Sequence, residues 1–164
     1  MDFDARRKIV SLADAAAAAR RAQAAGGRVV FTNGCFDLLH AGHVRYLGQA
    51  RALGELLILG LNSDASVRGL NKGEERPIVP QDQRAEVVAG LMAVDRVVIF
   101  DEPTPLELIR VIAPDVLVKG GDWPVQAIVG ADLVLARGGR VLSIPLVAGL
   151  STTNLVRRLS GPQA

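Results

Sequence analysis

Apolar residues fall along this chain in short unbroken runs separated by longer stretches in which they return every three or four positions. The runs are VVFTN (29–33), LLILGLNSD (56–64), RVVIF (96–100), DVLVKG (115–120) and RVLSIPL (140–146). None alternates with period two, so each reads as a strand buried on both faces. Between them, HVRYLGQARAL (43–53), QDQRAEVVAGLMAV (81–94) and PLELIRVI (105–112) read as helices, with another inside 125–139 and a closing one over 151–159. Ahead of them, SLADAAAAARRAQAA (11–25) is a run of helix formers stopped by Gly26 and Gly27. Five buried strands alternating with helices predict an α/β fold, a doubly wound parallel sheet with right-handed crossovers.

The expected organisation is an N-terminal helical segment (1–27) leading into one domain (28–164), a single globular unit of Rossmann-like type without linker or repeat. In such sheets ligands bind outside the carboxyl ends of the strands, where the strand order switches. The residues just after each strand are therefore the ones to read for chemistry.

Composition narrows the function classes. The chain has 164 residues, 49% hydrophobic and 22% charged, a globular balance that excludes intrinsic disorder. Aromatics are only 4%, which leaves few stacking platforms for single-stranded nucleic acid. One cysteine, Cys35, excludes an internal disulfide framework. The net charge is +2 and the pI about 9.1, with lysines only at 8, 72 and 119. With no block of like charges, this mild excess suits phosphorylated small molecules better than nucleic acid. No signal-peptide core is visible, and the longest apolar run, Leu56 to Leu61, is far below the roughly 20 residues that span a bilayer. We expect a soluble cytoplasmic protein with neither nucleic-acid nor membrane partners.

The first strand is followed by Thr32-Asn33-Gly34-Cys35-Phe36-Asp37-Leu38-Leu39-His40-Ala41-Gly42-His43, which holds both histidines of the chain, three apart. If a helix opens at His43, both imidazoles sit by bare N–H groups at its positive dipole end. Gly34 and Gly42 let a phosphate approach the backbone. Together these groups make an anion cradle. A zinc pair is the rival reading, but helical zinc histidines usually stand four apart and need a third ligand.

The run TNGCFDLLHAGHVRYL closely resembles the signature of the cytidylyltransferase-like nucleotidyltransferases, whose hallmark is HxGH. LNSDASVRGL (61–70), ERPIVPQDQRAEVVAGLMAVD (75–95), PDVLVKGGDW (114–123) and GLSTTNLVRRL (149–159) resemble its heptose 1-phosphate adenylyltransferase branch, so that the likeness covers roughly 28–159. It implies that His40 and His43 act on the α-phosphate and leaving pyrophosphate, and that Thr32, Asn33, Gly34, Cys35, Phe36 and Gly42 line the nucleotide. Ser151, Thr152 and Thr153 match a second phosphate-binding motif. Lys119 is implied to reach a phosphate, with Gly120 and Asp122 near base or ribose and Trp123 beside the substrate. Lys72 and Arg76 fall in a loop expected to cover the phosphates, and Arg84 is implied to hold the acceptor phosphate. Asn62 joins the acceptor side. Asp37 reads either as a helix cap or as an active-site carboxylate. A sister branch using glycerol phosphate carries an arginine where this chain has Leu146, which favours the heptose branch.

The implied reaction is AMP transfer from ATP to D-glycero-D-manno-heptose 1-phosphate, giving ADP-heptose and pyrophosphate for lipopolysaccharide core synthesis. Mg²⁺ would be carried by ATP, with no dedicated metal site. A homodimer is expected, and a pathway kinase on a separate chain. The alternatives are a cytidylyltransferase for a polyol or amino-alcohol phosphate such as glycerol 3-phosphate, and a nucleotide-binding sensor without turnover.

Overall fold

The computed structural model describes residues 4–70, 73, 75–145, 149 and 152–159. Five strands form one sheet: β1 (Val29–Gly34), β2 (Leu56–Asn62), β3 (Arg96–Phe100), β4 (Val116–Gly120) and β5 (Arg140–Ile144). All neighbouring pairs are parallel, in the order β3-β2-β1-β4-β5. The order reverses between β1 and β4, so a crevice opens at the carboxyl ends of those two strands.

Why the strands read as unbroken apolar runs is plain from the packing. Val30, Leu57, Leu59 and Val97 join one core cluster, with Tyr46 and Leu47 of α2 (Ala41–Arg51) and Val88 of α4 (Gln81–Ala89). Val29, Phe31, Ile58 and Val98 join a second, with α1 (Leu12–Ala24), α5 (Leu106–Ile112) and α6 (Ala131–Ala136). Successive side chains alternate between faces, and both faces are covered. The alanine tract has a structural use: Ala15 and Ala19 are fully buried, so small side chains seat α1 against the sheet.

Local chemistry moves several element boundaries. Helix α2 opens at Ala41, two residues before the predicted start, because His40 rather than a later residue caps it. The strand predicted to reach 64 ends at Asn62, since the Ser63 hydroxyl accepts from the Ser66 amide at 3.1 Å and starts α3 (Asp64–Gly69), a short helix the pattern did not announce. Helix α4 stops at Ala89, well short of 94, with Gly90 as its C-cap. The segment 125–139 divides into a 3₁₀ turn, Val125–Ala127, and α6. A last helix, α7 (Thr152–Leu159), closes the described chain. Among the described residues no helix is long and apolar enough to cross a membrane.

Candidate active site

The exit of β1 is built around one close contact. Phe36 takes a left-handed backbone, φ 45°, which folds its ring back over Gly34. A Cβ on Gly34 would stand 2.8 Å from Phe36 Cε2, so a larger residue there would have to displace the ring. The Phe36 ring then packs against His43, centroid to centroid 5.4 Å, and His43 lies 4.0 Å from the ring of His40.

The two histidines cap α2 reciprocally. His40 Nδ1 accepts from the Gly42 amide at 3.1 Å, and His43 Nδ1 accepts from the His40 amide at 3.3 Å. A ring nitrogen that accepts carries no proton, so each neutral imidazole keeps its proton on Nε2. Both rings are therefore hydrogen-bond donors through Nε2 while uncharged. Burial lowers the His40 pKa, and burial together with the neighbouring His40 pushes His43 down to about 4. The Thr152 hydroxyl donates to the Leu38 carbonyl at 3.2 Å, which draws the start of α7 to the same loop.

This shift has a consequence for stability. Below about 6.5 the unfolded chain binds a proton at residue 43 that the folded protein refuses until about 4. Stability is expected to fall as pH drops through that window and to hold above it. Thermal unfolding of the wild type and of His43→Asn between pH 7.5 and 4 checks this, the variant showing a shallower acid-side decline.

Three predicted site residues turn inward. Thr32 is completely buried, its hydroxyl 2.5 Å from that of Tyr46, so its side chain lies beneath the site and does not line it. The Tyr46 hydroxyl, which also donates to the Val118 carbonyl at 3.3 Å, is pushed up to about 12 by burial. Arg84 is 1% exposed. Its guanidinium donates to the carbonyls of Cys35 (2.5 Å), Asn62 (2.9 Å) and Val79 (2.9 Å) and to Asp64 (2.7 Å). It is a strut between the exits of β1 and β2, its side chain fully buried. Asp37 fits neither of its readings. Its buried carboxylate accepts from the amides of Ile78 (3.0 Å) and Val79 (2.9 Å) and from Arg76 Nε (2.5 Å), fastening the 76–79 segment to the β1 exit. Burial raises the Asp37 pKa, but these two amides and the Arg76 guanidinium outweigh it and hold the carboxyl below its usual range.

On the other side of the β1 exit lies a cleft of about 330 Å³, at the small end of the roughly 300–1,000 Å³ of ligand sites. Asn33, Gly34, Cys35, Asn62, Lys119 and Trp123 all line it. Its wall also includes Thr104 and Ile128, which the sequence does not single out because nothing local marks the turn after β3 or the 127–129 segment as belonging to the same cleft. The histidines are not in its wall. Gly42 is buried at the start of α2, Gly120 ends β4, and Asp122 is exposed beyond it. Lys72 and Ser151, like Leu146, lie outside the described residues, as does the side chain of Thr153.

A parallel sheet of this order, with paired histidines capping the first crossover helix, is the frame of a nucleotide-handling α/β domain. The chain belongs to the cytidylyltransferase-like family, whose family model matches residues 31–156. It is 60% identical over 134 residues to the Bifunctional protein HldE of Syntrophotalea carbinolica, and 53% identical over 156 residues to that of Geobacter sulfurreducens. These alignments take in 82% and 95% of this chain, but 27% and 31% of those proteins. The chain thus spans about a third of the length of the curated relatives it matches. The crystal structure of the lipopolysaccharide core biosynthesis protein from Thermoplasma volcanium is also similar, with a TM-score of 0.60 and 26% identity over 74% of this chain and 98% of that one.

Proposed function

We propose that this chain transfers AMP from ATP to the phosphate of D-glycero-D-manno-heptose 1-phosphate, releasing pyrophosphate and forming ADP-heptose for the lipopolysaccharide core. The observation that carries the nucleotidyl-transfer reading is the reciprocal histidine cap. It leaves two uncharged Nε2–H donors at one helix start, on the helix that follows β1, the strand beside which the sheet's order reverses. The likeness to HldE proteins and to a lipopolysaccharide core biosynthesis protein supports the sugar.

An oxygen of the sugar phosphate attacks the α-phosphorus of ATP in line. The new O–P bond forms as the bond to the bridging α–β oxygen breaks, and pyrophosphate leaves with that electron pair. The attacking oxygen is already ionised near pH 7, so no general base is required. What the protein must do is bring two polyanions together and stabilise charge growing on the bridging oxygen. His40 and His43 supply donors there, and the dipole of α2 adds partial positive charge at the same end. Lys119, in the wall of the neighbouring cleft, balances the acceptor phosphate. Among the described residues no three metal-ligating side chains are grouped. A Mg²⁺ entering with ATP would supply further neutralisation of the triphosphate charge. The acceptor is itself a product of phosphoryl transfer to a sugar, so a kinase working ahead of this enzyme is expected.

Nucleotide choice tests the reading against a cytidylyltransferase of polyol phosphates. A pocket whose backbone groups hydrogen-bond one base leaves them unpaired with another. ATP is expected to exceed CTP in kcat/KM by at least about tenfold, the equivalent of roughly 1.4 kcal/mol. The measurement is pyrophosphate release for both nucleotides, each with heptose 1-phosphate and with glycerol 3-phosphate. A preference for CTP with either acceptor overturns the heptose assignment, and absence of pyrophosphate with every pair overturns the transferase.

A further inference from the structure

The chain has a single tryptophan, and the structure holds it at the cleft in a fixed pose. The Trp123 amide donates to Ser143 Oγ at 3.1 Å, and its indole Nε1 donates to the Gly120 carbonyl at 3.2 Å. Ser143 Oγ in turn donates to the Gly121 carbonyl. Gly121 has φ 120°, and a Cβ there would stand 2.7 Å from Trp123 Nε1 and 2.9 Å from Cδ1, so the pyrrole edge of the indole needs bare backbone beside it. Yet the side chain is half exposed and faces the cleft. A large aromatic ring fixed by its own hydrogen bonds but left uncovered is a platform waiting for an apolar partner.

The cleft has two characters. Its lining combines apolar residues, among them Trp123, Ile128, Val129 and Leu70, with the polar Asn33, Asn62 and Lys119, the Asn62 Nδ2 being held by Ser66 Oγ at 3.0 Å. A pyranose phosphate matches this division, because its ring shows a C–H face to one side and hydroxyls and a phosphate to the other. A purine can also stack on an indole, so the ATP titration below is the arm that separates it from the sugar. An open-chain polyol phosphate has no ring face for the indole to cover. We propose that Trp123 is the specificity-determining platform of the acceptor site, and that it selects a cyclic sugar phosphate over an open-chain polyol phosphate. The proposal rests on the transferase reading above for its reaction, but its binding claim can be tested apart from turnover.

Because no other tryptophan emits, intrinsic fluorescence reports on this cleft directly. The wild-type protein is titrated separately with heptose 1-phosphate, glycerol 3-phosphate and ATP. Heptose 1-phosphate is expected to move the emission saturably, and the other two are not. In pyrophosphate release, Trp123→Ala should raise KM for heptose 1-phosphate by about tenfold, leave KM for ATP in place, and be largely rescued by Trp123→Phe. Emission that responds to ATP alone, with KM for ATP raised in Trp123→Ala, would make the indole a nucleotide platform and overturn the proposal. Equal losses in kcat for every substrate would reduce Trp123 to a strut for the turn after β4, and overturn it too. A wild-type emission unmoved by heptose 1-phosphate likewise defeats it. If sugar phosphate moves the emission but no pyrophosphate appears, the transferase reading fails while the platform stands.

Discussion

Replacing His40 by Asn is expected to leave the protein folded and to lower kcat by about 10²–10³, the usual cost of losing one transition-state donor. Asparagine offers an acceptor oxygen near the place of Nδ1, so the bond from the Gly42 amide that caps α2 survives. What it cannot offer is a donor at the reach of Nε2. His40→Ala loses both, and adds a capping cost of about 1 kcal/mol to the same fall in turnover. The parallel change His43→Asn keeps an acceptor for the His40 amide and should cost turnover similarly. Pyrophosphate release and thermal unfolding on the same preparations separate the two effects. Near-wild-type turnover in either folded asparagine variant would mean that the histidines only hold the helix start, and the active site would have to be sought elsewhere.

Arg84→Met is expected to cost about 3–5 kcal/mol of stability, the range for breaking a buried charged network by removing one partner. Three carbonyls, those of Cys35, Asn62 and Val79, would lose their donor inside the protein. Asp64, a quarter exposed, can rehydrate and contributes the smaller share. In a domain of this size that corresponds to a midpoint lower by about 6–20 °C. Arg84→Lys should recover little, because one ammonium cannot serve three carbonyls held in a planar fork. Calorimetry of both variants decides the matter. An unchanged midpoint with a raised KM for the sugar phosphate would instead favour the role of phosphate ligand that the family resemblance implied for Arg84.

The contacts made by Arg84, Asp37 and Thr32 are not legible in the sequence for one reason. Each stands at an element end, where ligand-binding groups cluster, and each is consumed by a contact that local pattern does not contain. The Cys35 carbonyl that Arg84 serves is 49 residues away, and the Val79 amide bound by Asp37 is 42 away. Tyr46, which buries the Thr32 hydroxyl, reads in the sequence simply as an apolar helix position.

The amino-acid sequence alone was enough for the five strands, their burial on both faces and the parallel α/β class, because periodicity and turn residues are local and repeat along the chain. It also singled out the histidine pair, since three residues of spacing at a strand exit is a local fact as well. The order of the strands, the meeting of Leu38 with Thr152 across 114 residues, the cleft shared by four strand exits, and the neutral state of the histidines belong to the tertiary structure. They depend on which distant groups are packed together and kept from water. No stretch of ten or twenty residues carries that information, because it arises only when both faces of the sheet are closed.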